Sequence, residues 1–133
     1  MQTNRRQWLV TMAAVPIALS LTRSAQAAGT LEAVKTRGTL RVGVTQAPPW
    51  FSKDPRSGEW ASGVGVSLGK ALAGKLGVRF EPVEVTWGTA IAALQADRID
   101  LMAMMDATPE RREAAAFPQT PLLYYSMAIL ARD

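Results

Sequence analysis

Ile99-Asp100-Leu101-Met102-Ala103-Met104 is apolar at every position except Asp100. An apolar run of that length is the pattern of a strand covered on both faces, as in a parallel sheet. Upstream, Leu40-Arg41-Val42-Gly43-Val44 alternates at period two and reads as another strand. Residues 78–85 alternate again through Val78, Phe80, Val83 and Val85, and Pro82 marks an edge or a bulge there. Helical patterns lie between these runs. Leu68, Leu72 and Leu76 fall at i, i+4 and i+8, which predicts a helix over 66–76 ended by Gly77. Ile91, Leu94 and Gln95 predict one over 89–96, and residues 31–36 form a short helical lead-in stopped by Gly38. Thr108-Pro109-Glu110 is a helix start, with a hydroxyl cap, Pro in first position and an acid in the first turn. Residues 124–131 read as a last strand. Strand and helix alternate, so the fold class is α/β, a parallel sheet with helices on its faces.

Such sheets take ligands at the carboxyl ends of their strands. That rule selects the loop after Val44, the turn after Val85 and the turn after Met104. The first holds Pro48-Pro49-Trp50-Phe51 and, further on, Trp60; the second holds Trp87. Large aromatics at these positions either stack on a ligand or pack on the rim of the sheet. The third turn carries Asp106, Thr108 and Arg111. The helix start after Thr108 offers unsatisfied N–H groups to an anion, and Arg111 can add a bidentate fork for a carboxylate. The alternative is that Thr108 only caps and Arg111 pairs with Glu110, Glu113 or solvent. Asp106 can accept from a ligand ammonium or cap the helix from outside. Met102, Met104 and Met105 read as core packing of the buried strand.

The chain has 133 residues, enough for one domain or part of a larger one, with 48% hydrophobic and 20% charged residues. It has no Cys and no His, which excludes disulfides, thiolate and imidazole metal sites, and Ser-His or Cys-His nucleophile pairs. No metal and no cofactor are expected. The net charge is +4, but Arg5, Arg6 and Arg23 precede residue 28 with no acid beside them. The remainder carries twelve basic against eleven acidic residues, evenly mixed, so a nucleic-acid partner is not expected. Residues 1–27 read as an export signal: Asn4-Arg5-Arg6-Gln7-Trp8-Leu9, an uncharged stretch over 7–22, then Ala25-Gln26-Ala27 before a cleavage point. The paired arginines fit a twin-arginine signal, with a general secretory signal as the alternative. Residues 28–133 are then the exported part.

Taken in order, these motifs resemble the first lobe of the extracellular solute-binding proteins of family 3, the amino-acid type that serves ABC importers. Val34-Lys35-Thr36-Arg37-Gly38-Thr39-Leu40-Arg41-Val42-Gly43-Val44 resembles the family's opening helix and first strand. Ala47-Pro48-Pro49-Trp50 resembles its proline-aromatic ligand loop, and Gly63-Val64-Gly65-Val66-Ser67-Leu68 its Gly-x-Asp-x-Asp helix start. Residues 87–100 match with the ending Ala-Leu-Gln-Ala-x-x-Ile-Asp, and Thr108-Pro109-Glu110-Arg111, Phe117 and Tyr124-Tyr125 follow in the family's order. The resemblance implies a lobe of the type II periplasmic-binding-protein-like fold, and a periplasmic receptor that closes two lobes on a small polar solute and passes it to an inner-membrane permease. A monomer is expected. By position Arg111 matches the arginine that binds the ligand carboxylate, Trp87 an apolar cleft residue, and Trp50 with Ala47 the stacking loop. The expected ligand-binding set is Arg111, Trp87, Asp106, Thr108, Trp50 and Met104.

The chain departs from the family in sequence and in length. Met104 and Asp106 stand where a small residue and a Ser or Thr are usual. Ala47 replaces the stacking aromatic, and Gly65 and Ser67 replace the two acids. Its length corresponds to the first lobe, so a fragment without the second lobe and the segment that returns to the first is expected. A single lobe has nothing to close on a ligand, so weak binding is expected. A catalytic role, as in the dehydratases and lyases of this fold, would need Asp106 or Glu110 as acid or base; a periplasmic sensor or accessory domain is the other alternative.

Overall fold

Thr39–Val44 forms the central strand, β1, and its burial on both faces sets the rest of the fold. The computed structural model describes residues 29–125. The described chain opens in helix α1 (29–37), which stops at Gly38, a residue at φ 69 whose N–H closes the last turn on Val34 and Lys35. The chain then enters β1. A hairpin follows, β2 (Ser52–Lys53) antiparallel to β3 (Trp60–Ser62), and after it α2 (Val64–Leu76). Next come β4 (Arg79–Glu84), α3 (Ala90–Gln95), β5 (Leu101–Met102) and α4 (Pro109–Ala114).

Both neighbours of β1 run parallel to it, in the order β4-β1-β5. The expected parallel α/β sheet is therefore present, with Pro82 in an edge strand where its missing N–H costs no ladder bond. Val42 points to the face where Val34, Leu40 and Ala73 pack, covered by α1 and α2. The opposite face is covered by α3, with Val85, Ala90, Ala93 and Ile99 buried together. At the carboxyl ends of the strands a third cluster joins Val44, Phe51, Trp60, Val66 and Ala103.

Four expectations change. The contact line of α2 is Gly65, Val66, Gly69 and Ala73, with Leu68, Leu72 and Leu76 only half-buried beside it. A Cβ on Gly65 would overlap the Phe51 ring, and one on Gly69 would lie 2.7 Å from Phe80 Cε2. The helix sits so close to the sheet that small residues occupy the contact and the leucines flank it. The strand expected over 99–104 is only Leu101–Met102, because Met104 takes φ 59 and turns the chain away. Nor is this strand covered on both faces, since Leu101 and Met102 are half-buried; Ala103 in the exit turn is more buried than either, so hydropathy could not separate strand from turn. The loop over 45–63 contains the β2–β3 hairpin; two- and three-residue strands are too short to show alternation. Its tip follows the expected turn chemistry, with Asp54 Oδ1 accepting from the N–H groups of Arg56 at 2.7 Å and Ser57 at 3.0 Å. Finally, Tyr124 and Tyr125 are in irregular backbone, and the remainder of the expected last strand, 126–131, lies outside the described residues, as does the export signal over 1–27.

Candidate functional site

The three strand exits meet at one edge of the sheet. After β1 the chain turns through a cis Pro48-Pro49 peptide and folds on itself: Trp50 N–H donates to the Ala47 carbonyl at 2.8 Å, Phe51 N–H to the same carbonyl at 3.0 Å. This turn puts Phe51 fully into the core and leaves Trp50 half-buried above it. The loop also seals the start of α2, whose Val64 and Gly65 N–H groups donate to the Pro49 and Trp50 carbonyls. Those donors are therefore committed within the chain.

After β4, Thr86 and Thr89 lock the second turn by exchanging hydrogen bonds, Thr86 N–H to Thr89 Oγ1 at 3.0 Å and Thr89 N–H to Thr86 Oγ1 at 3.2 Å. The turn presents Trp87, half-buried, with its ring centroid 6.0 Å from that of Phe51 and tilted by 57°. Trp50, Trp87 and Met104 thus pack on one cluster, although they come from three separate exits. Trp60 belongs to the interior of that cluster at 9% exposure, with Lys53 Nζ 5.0 Å from its ring centroid, so it takes the packing role of the two considered for it.

The third turn begins at Met104. Asp106 is exposed, and its backbone carbonyl accepts from Arg111 Nη1 at 3.2 Å. Thr108 caps α4 as expected, its Oγ1 accepting from Arg111 N–H at 3.4 Å. Hydrogen bonds from its own N–H and from the Thr108 hydroxyl hold the Glu110 carboxyl below the usual range. Arg111 is in none of the ion pairs among the described residues, which join Arg37 and Arg41 to Asp100, Lys53 to Glu84, and Arg79 to Glu81. It makes no ion pair with Glu110, although its charge helps to hold that carboxyl down. One of five guanidinium donors is fixed, and the fixed one aims the group at the Asp106 turn. Among the described residues no group of three or more Asp or Glu could hold a metal ion.

Two residues stand out that the sequence reading had not placed in roles. Tyr125 donates its hydroxyl to Asp106 Oδ1 at 2.9 Å, and its ring centroid is 6.0 Å from that of Trp50 at a 50° tilt. It joins the first and third turns. The Asp106 hydrogen bond, then the Asp106 charge and burial, raise its phenol above the ordinary range. Tyr124-Tyr125 was visible only as an aromatic pair; nothing local says that one ring folds back nineteen residues. The second is Asp100, 5% exposed at its side chain, at the opposite end of β5. Its Oδ1 accepts from Arg41 Nη2 at 2.7 Å, and its Oδ2 from Arg41 N–H at 2.9 Å, from Arg41 Nε at 3.2 Å and from Arg37 Nη2. Burial pushes this carboxyl up, and the hydrogen bonds of Arg41 and Arg37 outweigh it, leaving it below the usual range.

The described family "bacterial extracellular solute-binding proteins, family 3" matches residues 40–133. A probable amino-acid ABC transporter periplasmic-binding protein of Sinorhizobium fredii is 37% identical over 114 residues, covering 81% of this chain and 37% of that protein. Two structures of the ancestral protein AncCDT-1, described as a cationic amino acid solute-binding protein and as a precursor of cyclohexadienyl dehydratase, are 44% and 45% identical, with TM-scores of 0.58 and 0.57; each match covers 63% of this chain and 37% of the other. The arginine-bound form of domain 1 from TmArgBP is 34% identical with a TM-score of 0.55, over 60% of this chain and 64% of that domain. The chain spans about a third to a half of the length of the curated relatives it matches, 36% to 49%.

Proposed function

Since the chain belongs to the bacterial extracellular solute-binding proteins of family 3, we propose that it forms the ligand-holding first lobe of the binding component of an amino-acid ABC importer. The observation that carries this reading is the meeting of three strand exits at one edge of the sheet, with Trp50, Trp87 and Met104 on one cluster and, in the third exit, Arg111, which donates to the Asp106 carbonyl and is in none of the ion pairs among the described residues. In this reading Arg111 takes the ligand carboxylate through its planar fork, and the Thr108 hydroxyl lies beside it. Asp106 takes the ligand ammonium. Trp50 and Trp87 wall the site and Met104 floors it, with rings backed by the Phe51 cluster so that they keep their orientation. The partner is an inner-membrane permease and the setting is the periplasm, reached through the signal over 1–27, with a monomer as the working unit. The role is binding without catalysis: Glu110, held ionised, is poorly suited to donate a proton.

A relative described as an arginine-bound single domain supports ligand holding by one lobe. Closure would still add affinity by removing water from the ligand's charges. The test is isothermal titration of the full chain with L-arginine, L-alanine and L-glutamate, and with agmatine, which lacks the carboxylate. Saturable heat with at least one amino acid, and none with agmatine, is expected. Agmatine binding as tightly as L-arginine would remove the Arg111 anchor, and silence from all three amino acids would remove the reading.

A further inference from the structure

Asp106 meets a donor from its own chain where the proposed function places a ligand ammonium. The Tyr125 hydroxyl lies 2.9 Å from Asp106 Oδ1, and the same ring leans on Trp50, whose face is one of the proposed walls. A phenol O–H on a carboxylate imitates an ammonium N–H on it, and a ring against an indole occupies the place of a ligand side chain. The two contacts bring residue 125 across two of the three strand exits. Tyr125 itself is 55% exposed and lies in irregular backbone.

We propose that Tyr125 is an intramolecular occupant of the site, its phenol holding Asp106 in the ligand-free lobe and giving way to the ammonium of an incoming amino acid. This inference rests on the binding reading above. The exchange replaces a neutral donor by a charged one, which adds the attraction of opposite charges to a hydrogen bond on the same carboxylate. The latch therefore yields to a ligand bearing an ammonium beside a carboxylate, while a neutral donor of the phenol's own strength gains nothing by displacing it. It also keeps Asp106 hydrogen-bonded and the Trp50 face covered when no ligand is present.

Tyr125→Phe deletes the hydroxyl and keeps the ring on Trp50. The full chain, as wild type, Tyr125→Phe and Tyr124→Phe, is titrated calorimetrically with L-arginine, L-alanine and L-glutamate. Removal of the competing hydrogen bond is expected to tighten binding by about two- to tenfold. Tyr124 is 87% exposed, and its variant is expected to match wild type. Equal or weaker affinity of Tyr125→Phe overturns the latch and leaves the binding reading standing, as does an equal gain in Tyr124→Phe. Binding by Tyr125→Phe where wild type shows none supports the latch in its strongest form. No heat from any variant with any of the three ligands overturns both inferences.

Discussion

Arg111 offers five N–H donors, and the structure commits one of its side-chain donors to the Asp106 carbonyl. That single bond orients the plane, and in the proposed function the remaining donors take a ligand carboxylate. Arg111→Met keeps the apolar stem and removes the charge. Loss of charged hydrogen bonds of about 1.5–3 kcal/mol predicts at least about tenfold weaker amino-acid binding. The melting temperature should stay nearly level, since the residue is half-buried and carries one side-chain bond. Calorimetry and a thermal melt read the two quantities, and unchanged affinity would return Arg111 to a surface role. The Thr108 cap and Arg111's place in the first turn of α4 were legible in the sequence, because a Thr-Pro-Glu start is local chemistry. Tyr125 was not, because its bond to Asp106 is set by how the chain folds back.

At the level of the element, two of the three glycines of α2 have opposite roles. A Cβ on Gly65 would overlap the ring of fully buried Phe51, while one on Gly74 meets nothing within 4 Å. Gly65→Ala is expected to destabilise the lobe by about 1–3 kcal/mol through overpacking. Gly74→Ala is expected to stabilise it by about 0.5–1 kcal/mol, since Ala loses less backbone entropy in a helix than Gly. Urea melts of the two variants check this, and equal shifts would refute the close approach of α2 to the Phe51 turn. Both glycines look alike as letters. The period of Leu68, Leu72 and Leu76 located the helix correctly but put its contact line on the wrong residues, because the line depends on how near the sheet lies.

Across the whole molecule, Asp100 ties α1, β1 and β5 through Arg37 and Arg41. Its side chain is nearly enclosed, so Asp100→Asn leaves the arginine donors poorly matched and is expected to cost about 1–3 kcal/mol. The sign with pH follows from the lowered carboxyl. Its stabilisation is fully present above the ordinary carboxylate value and is lost as pH falls through the lower native one. The stability gap between wild type and Asp100→Asn is therefore expected to be widest near neutrality and to close below about pH 4. Denaturant melts at pH 7, 5 and 3 measure it, and a gap as wide at pH 3 as at pH 7 would show that the contribution is not ionic. In the sequence Asp100 was only an interruption in an apolar run; its two partners stand 59 and 63 residues away.

The sequence by itself determined the alternation of strands and helices, the irregular place of Pro82, the capping of α4 and the three strand exits at which the proposed site lies. Each follows from periodicity or backbone chemistry within a few residues. Only the tertiary structure decided which tryptophan is core and which lines the exits, that β5 stops at Met102, that glycines rather than leucines touch Phe51 and Phe80, and that Tyr125 reaches Asp106. Those outcomes depend on distances between segments far apart in the chain, and such distances are set by packing, which no local pattern encodes.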